Sequence, residues 1–231
     1  ANYIYSNVPG GEPWFTVSND EHMDDVFGAG EWTTDYYETV DPAALFSVDN
    51  CFIYMEGSDG HAEELESFLN TNMLLVENWV SAGGHLFINA APNEGDGMNL
   101  GFGGTTLGYP WYSSDVTASD PLHPIWDGPF TPTSTTMNGF NYGHASVNGS
   151  DWTPIIYDVF NPDKIIAAEK SWGAGIVIFG GMTVTDFHAP FTEAGNFRKN
   201  IISYLASCTI SDNDVGVQSI LAPLSGCSLT D

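Results

Sequence analysis

Five carboxylates, two amides and an imidazole could share a chemical task in this chain. Glu56 and Asp59 follow the apolar run CFIYME at 51–56, Asn89, Asn93, Glu94 and Asp96 follow HLFINA at 85–90, and Asp186 and His188 follow GIVIFG at 175–180. If those runs are neighbouring parallel strands, the groups converge at the strands' carboxyl ends, where open α/β sheets bind ligands. An acid, a second acid and an imidazole placed there would serve general acid and base catalysis, which makes Glu56, Asp186 and His188 the catalytic candidates. The wider ligand-binding set is Glu56, Asp59, Asn89, Asn93, Glu94, His144, Asp186 and His188.

Each of these residues also has a purely structural reading. Glu56 ends an apolar strand, so its carboxylate requires either a ligand or a core neighbour to compensate its burial. Asp59 is placed to cap a helix starting near His61. Asn93, Gly95, Asp96 and Gly97 have the composition of an ordinary turn. His144, His188, Glu56 and Asp186 would be the set for a transition metal, although no HxH or HExxH spacing marks them. Oxygen ligands at Glu94, Asp96, Asp212 and Asp214 would suit calcium, without the Gly and Glu spacing of an EF-hand. No other cofactor is expected.

Aromatic residues form a further group. Trp14, Trp32, Tyr36, Tyr37, Trp111, Tyr112, Trp126 and Trp152 lie mostly in loop-like sequence. Flat rings beside amides and acids hold sugars by stacking on apolar C–H faces while the polar groups bind hydroxyls. The alternative is that they cover the sheet ends as a second core.

The elements that must position these groups are read from periodicity. Strands are expected at 2–6, 51–56, 85–90, 154–158, 164–169 and 175–180, the last two joined as a hairpin. Apolar residues Leu65, Phe68, Leu69, Val76, Trp79 and Val80 recur at helical spacing until Gly83 and Gly84 stop the helix. A second helix is expected over 192–206. Residues 92–150, rich in Gly, Pro, Thr, Ser and Asn, read as long loops carrying short strands. Together these predict an α/β fold, a flavodoxin-like three-layer sandwich with a mainly parallel central sheet and a long loop insertion, over residues 1–207. Residues 208–231 read as a linker and the first strand of a following β-sandwich module, or as an added edge strand.

Composition narrows the partners. The 231 residues include four Lys or Arg against thirty Asp or Glu, a formal charge of −26. Such a chain repels nucleic acid and anionic membrane surfaces, which require basic residues to replace counterions. No run of apolar residues is long enough for direct membrane insertion, and the first residues lack a signal pattern, so a soluble or already processed chain is expected. Only 15% of residues are charged, and the polar remainder with seven Trp and ten Tyr reads as extracellular. Of three cysteines, Cys208 and Cys227 flank a short segment and are placed to pair in an oxidising compartment, and Cys51 reads as a buried thiol.

Two stretches carry a family resemblance. GGHLFINAA at 83–91 and GGMTVTDFHAP at 180–190, in this order of elements, resemble the class I glutamine amidotransferase-like superfamily, in its trehalose-utilisation (ThuA-like) and other non-amidotransferase branches. The likeness covers roughly residues 1–207 in element order. The segment from Asp212 resembles the start of CARDB-like modules in large secreted adhesion proteins of gliding and other environmental bacteria. The superfamily's nucleophilic Cys belongs on the turn after the central strand, where this chain has Ala90, Ala91 and Pro92. Cys51 opens its own strand, roughly 17 Å from that end at ~3.3 Å per residue. His188 matches the family His, without a nucleophile to activate. The resemblance therefore implies a non-catalytic, extracellular domain of a surface adhesion protein, structural or glycan-binding, with neighbouring domains and surface glycans as partners. The alternative is a ThuA-like carbohydrate-processing enzyme using Glu56, Asp186 and His188.

Overall fold

A computed structural model describes residues 1–131 and 133–208 of the chain. In order, the elements are β1 (Asn2–Tyr5), α1 (Ser18–Phe27), β2 (Thr33–Tyr36), α2 (Pro42–Leu45), β3 (Phe52–Glu56), α3 (Ala62–Ser81) and β4 (His85–Asn89). Then follow β5 (Met98–Gly101), β6 (Thr105–Gly108), β7 (Ser113–Ala118), β8 (Thr136–Gly143), β9 (Ser146–Asn148), β10 (Thr153–Asp158), β11 (Ile165–Trp172), β12 (Gly175–Gly180), β13 (His188–Ala189) and α4 (Phe191–Ala206).

Burial on both faces explains the apolar runs. Along β3, Ile53 and Met55 point to the core under α3, whereas Phe52 and Tyr54 point to the opposite core with Ala194, Phe197 and Ile201 of α4. On β4, Leu86 and Ile88 join the first core and Phe87 the second. A strand covered on both sides must be apolar at every position, which erases alternation from the sequence. Each fully buried Ile, Leu or Phe contributes about 1.5–3 kcal/mol. The end of α3 follows its letters: Gly83, at φ 115°, takes a left-handed conformation costly for other residues.

The sheet itself differs from expectation. Strands β2, β1, β3, β4 and β12 form a parallel block, and beyond it β11, β10, β7, β8 and β13 continue antiparallel, with β9, β6 and β5 branching from β11. Four strand pairs are parallel and eight antiparallel among the described residues. The expected flavodoxin-like, mainly parallel sandwich is thus corrected to a mixed α/β fold whose thirteen-stranded sheet is mostly antiparallel. Residues 92–150, expected as long loops carrying short strands, supply five of those strands, β5 to β9, of which β8 is eight residues long. Their Thr, Ser, Asn and Gly content is suited to strands half exposed to water, as the mixed burial of β8 shows. Polar α1 carries no apolar helical period, because its buried positions include Ser18, Asn19 and His22.

The expected cysteine pairing is likewise corrected. Cys51 is bonded to Cys208, 157 residues away, with Cα atoms 5.8 Å apart. His85 brings the two ends together: its backbone N–H donates to the Cys51 carbonyl at 2.9 Å and its Nδ1 to the Leu205 carbonyl at 2.8 Å. Cys227 and the expected strand after Asp212 lie outside the described residues. Among those described, no helix is long and apolar enough to cross a membrane.

Candidate functional site

Glu56 and Asn89 meet where β3 and β4 end side by side. Glu56 is 1% exposed, and its carboxylate accepts from the Tyr54 hydroxyl at 2.6 Å, the Ser58 amide at 2.8 Å and Asn89 Nδ2 at 3.0 Å. Asn89 is held in turn by Met182, accepting from its amide at 3.1 Å and donating to its carbonyl at 2.9 Å. Ala90 and Ala91, at the family's nucleophile position, are buried beside this cluster.

The same network reaches His188 through Arg198. The guanidinium donates to the Tyr54 hydroxyl and to the Thr183 carbonyl, each at 2.8 Å, and Thr183 Oγ1 lies 2.8 Å from His188 Nε2. His188 Nε2 donates to the Tyr142 carbonyl at 3.2 Å, so its Nδ1 is the bare nitrogen of the neutral ring. The imidazole stacks on Tyr142 with centroids 3.8 Å apart, and burial holds it well below the usual histidine range. At 5% exposure it is closed to a substrate. Asp186, two residues earlier, is exposed.

Helix α3 is capped from a distance. Glu94 Oε1 accepts from the amides of Ala62 at 2.9 Å and Glu63 at 3.3 Å, satisfying two of the free donors at the helix start. Asp59, expected as that cap, braces another segment: Oδ2 accepts from the Trp14 amide at 3.2 Å and Oδ1 from Asn93 Nδ2 at 2.7 Å. Asp96 is exposed. Among the described residues, no group of three or more His, Cys, Asp or Glu is arranged to hold a metal ion. Asp212 and Asp214 lie outside them.

Trp14 opens onto a cleft of about 440 Å³ lined by Trp14, Asn93, Tyr112, Phe140, Asn141, His144 and Phe187. Its aromatic walls are continuous. Phe187 meets Trp14 edge to face at 5.5 Å, Trp14 meets His144 at 5.7 Å, and His144 meets Tyr112 at 5.0 Å. Phe140 on the rim is 84% exposed. Trp14, Asn141 and the bracing Asp59 all have positive φ, at 53°, 53° and 57°. Such conformations cost about 1–3 kcal/mol each and persist where surrounding contacts impose them, often at binding sites. Gly139 on β8 lets the segment before β13 approach closely: a side chain there would meet the Phe187 carbonyl at 2.6 Å.

His144 completes the polar inventory. Its Nδ1 donates to the Pro92 carbonyl at 3.0 Å, and burial holds the ring below the usual histidine range, so Nε2 is an acceptor. Asn93 and Asn141 add amide donors and acceptors, and Tyr112 a hydroxyl. Asn93 and His144 are the sequence candidates that line this cleft. Trp14 and Tyr112 were visible as loop aromatics, whereas Phe140, Asn141 and Phe187 carried no distinguishing local signal. Trp126, by contrast, stacks on Phe197 at 4.5 Å in the core.

No family model matches the chain, and no curated protein matches it. Among solved structures it is similar to Gan42B, a GH42 β-galactosidase, with TM-score 0.52 and 11% identity, covering 89% of this chain and 30% of that one. A catalytic mutant of Gan42B from G. stearothermophilus matches with TM-score 0.51, 10% identity and the same coverage. Agd3, described as a carbohydrate deacetylase, aligns with TM-score 0.46 and 11% identity over 88% of this chain and 32% of that one. The chain thus spans about a third of the length of these structures, and at such identities the likeness shows the fold alone. The matches correct the amidotransferase-like resemblance, including its ThuA-like branch, and its adhesion-protein setting; the CARDB-like segment from Asp212 lies outside the described residues. The stretch 83–91 contains β4, a buried strand whose apolar letters reflect burial, and 180–190 runs from the last residue of the adjacent β12 to β13. The solved structures matched above are carbohydrate-active enzymes by name.

Proposed function

We propose that this chain is a carbohydrate-binding domain whose ligand lies in the cleft around Trp14. The observation that carries this reading is the unbroken run of rings Phe187, Trp14, His144 and Tyr112 around a hollow of about 440 Å³, with amides at Asn93 and Asn141. Rings stack on the apolar faces of pyranoses, and fixed amides bind their hydroxyls. The β-galactosidase likeness supports a glycan-related role through fold alone. Glu56 and His188, at 1% and 5% exposure, are hydrogen-bonded inside the protein, which supports binding rather than catalysis by these two groups. The Cys51–Cys208 bridge supports an oxidising, extracellular compartment as the working environment.

The test is a glycan array followed by titration calorimetry of the wild type, Trp14→Ala and Tyr112→Ala. Binding by the wild type that falls about ten-fold or more in both variants, with folding retained, is the expected result. Binding unchanged in both would place any glycan site elsewhere.

A further inference from the structure

We infer that the cleft selects neutral saccharides and rejects those bearing carboxylate, sulfate or phosphate groups, an inference that rests on reading the cleft as a glycan site. The reason lies in where the chain's four basic residues are. Arg198 is buried and binds Tyr54 and Thr183. Lys199 pairs with Asp25 at 3.0 Å, and Lys170 donates to the Ser150 carbonyl at 2.9 Å. Lys164 lies 4.5 Å over the ring of Trp111, which is not among the cleft-lining residues. None of the four lines the cleft.

The remaining cleft groups are uncharged or acidic. His144 donates Nδ1 to Pro92 and presents a neutral ring, so it offers an anion no positive charge. Asn93 shares its amide with Asp59, whose carboxylate stands directly behind the cleft wall. Asp186 is exposed beside Phe187. A sulfate or uronate seated here would meet carboxylates without a compensating cation, in a protein of net charge −26. A neutral sugar needs only the rings, the two amides, the imidazole acceptor and the Tyr112 hydroxyl.

Matched glycans separate the class from the site. The wild-type chain is titrated at about 150 mM salt with neutral galactan, dextran, mannan and cello-oligosaccharides, and with each backbone after chemical sulfation. Every backbone that binds is expected to weaken about ten-fold or more on sulfation, and Asn93→Lys should recover about ten-fold for the sulfated form. Sulfated glycans that bind the wild type as tightly as their neutral parents, and lose that binding in Trp14→Ala, would overturn the selectivity while leaving the site intact. If no backbone binds in either form, the glycan reading falls and the selectivity with it.

Discussion

Glu56 and Arg198 are joined through one hydroxyl: Tyr54 Oη donates to Glu56 Oε2 at 2.6 Å and accepts from Arg198 Nη1 at 2.8 Å. Burial raises the Tyr54 hydroxyl well above the usual tyrosine range, so it keeps the proton that this geometry requires. Two buried polar side chains are thereby linked between β3 and α4, and removing the link leaves both short of a hydrogen bond. Tyr54→Phe is therefore expected to destabilise the fold by about 2–4 kcal/mol. Urea unfolding followed by tryptophan fluorescence measures it, and a loss within experimental error of zero would show that the hydroxyl is dispensable.

Acid should weaken the protein through its buried imidazoles. Burial first, and then Arg198 and Lys199, depress His22 from 6.5 to about 3, and His188 is depressed as well. Both rings are neutral in the fold and become charged more readily in the unfolded chain. Their contribution is complete above pH 6.5 and is lost as pH falls toward the depressed folded values. For His22 the expected loss is about 2 kcal/mol at pH 5 relative to neutrality, and His188 adds a loss of the same sign. Unfolding curves at pH 7 and 5 should show that loss, and His22→Gln should diminish it.

The opposite sign applies to Glu12. Burial first, and then the neighbouring Asp20 carboxyl, push it up to about 9, and Tyr3 Oη lies 3.3 Å from Oε2. The folded state holds a proton that the unfolded chain releases near 4.5. Stability from this group is full below that value and is lost as pH rises toward 9. Glu12→Gln should therefore stabilise the protein at pH 8, on the order of 2 kcal/mol, with little effect at pH 4. Equal effects at both pH values would rule out titration as the cause.

Reduction of Cys51–Cys208 opens a loop of 157 residues. The chain-entropy relation assigns such a crosslink about 5 kcal/mol. Denaturant midpoints with and without reductant, together with Cys51→Ser, check this figure. Peptide mapping without reduction should recover the two cysteines in one linked fragment, and finding Cys208 linked to Cys227 would refute the pairing.

Asp59 is expected to act on binding without lining the cleft. Asp59→Ala removes the acceptor that holds the Trp14 amide, so the ring should leave its left-handed position. Affinity for a glycan ligand is then expected to fall about ten-fold while global stability falls by about 1 kcal/mol. Trp14→Phe, which keeps the brace and a smaller ring, should retain more affinity than Asp59→Ala. The reverse order would assign Asp59 a direct ligand contact.

Of the parallel block, β1, β3, β4 and β12 with α3 and α4 were legible because they are covered on both faces or along one continuous stripe, whereas the half-exposed β2 was not. Burial of that kind prints itself locally, as unbroken apolar letters in β3, β4 and β12 and as a helical period in α3 and α4. Sequence likewise placed Glu56 and Asn89 at one strand end, since parallel register follows once the strands are neighbours. In the antiparallel half the β11–β12 hairpin and β10 were legible, whereas the extent of β5 to β9 was hidden, because strands with a wet face carry the same Thr, Ser and Asn as loops. Tertiary structure alone decided that Cys51 would meet Cys208, that Glu94 would cap α3, and that Asp59 would hold Trp14. These contacts join residues 157, 32 and 45 positions apart. Local periodicity reports only what a residue's near neighbours bury, whereas such pairings depend on how the whole sheet brings distant segments to one edge.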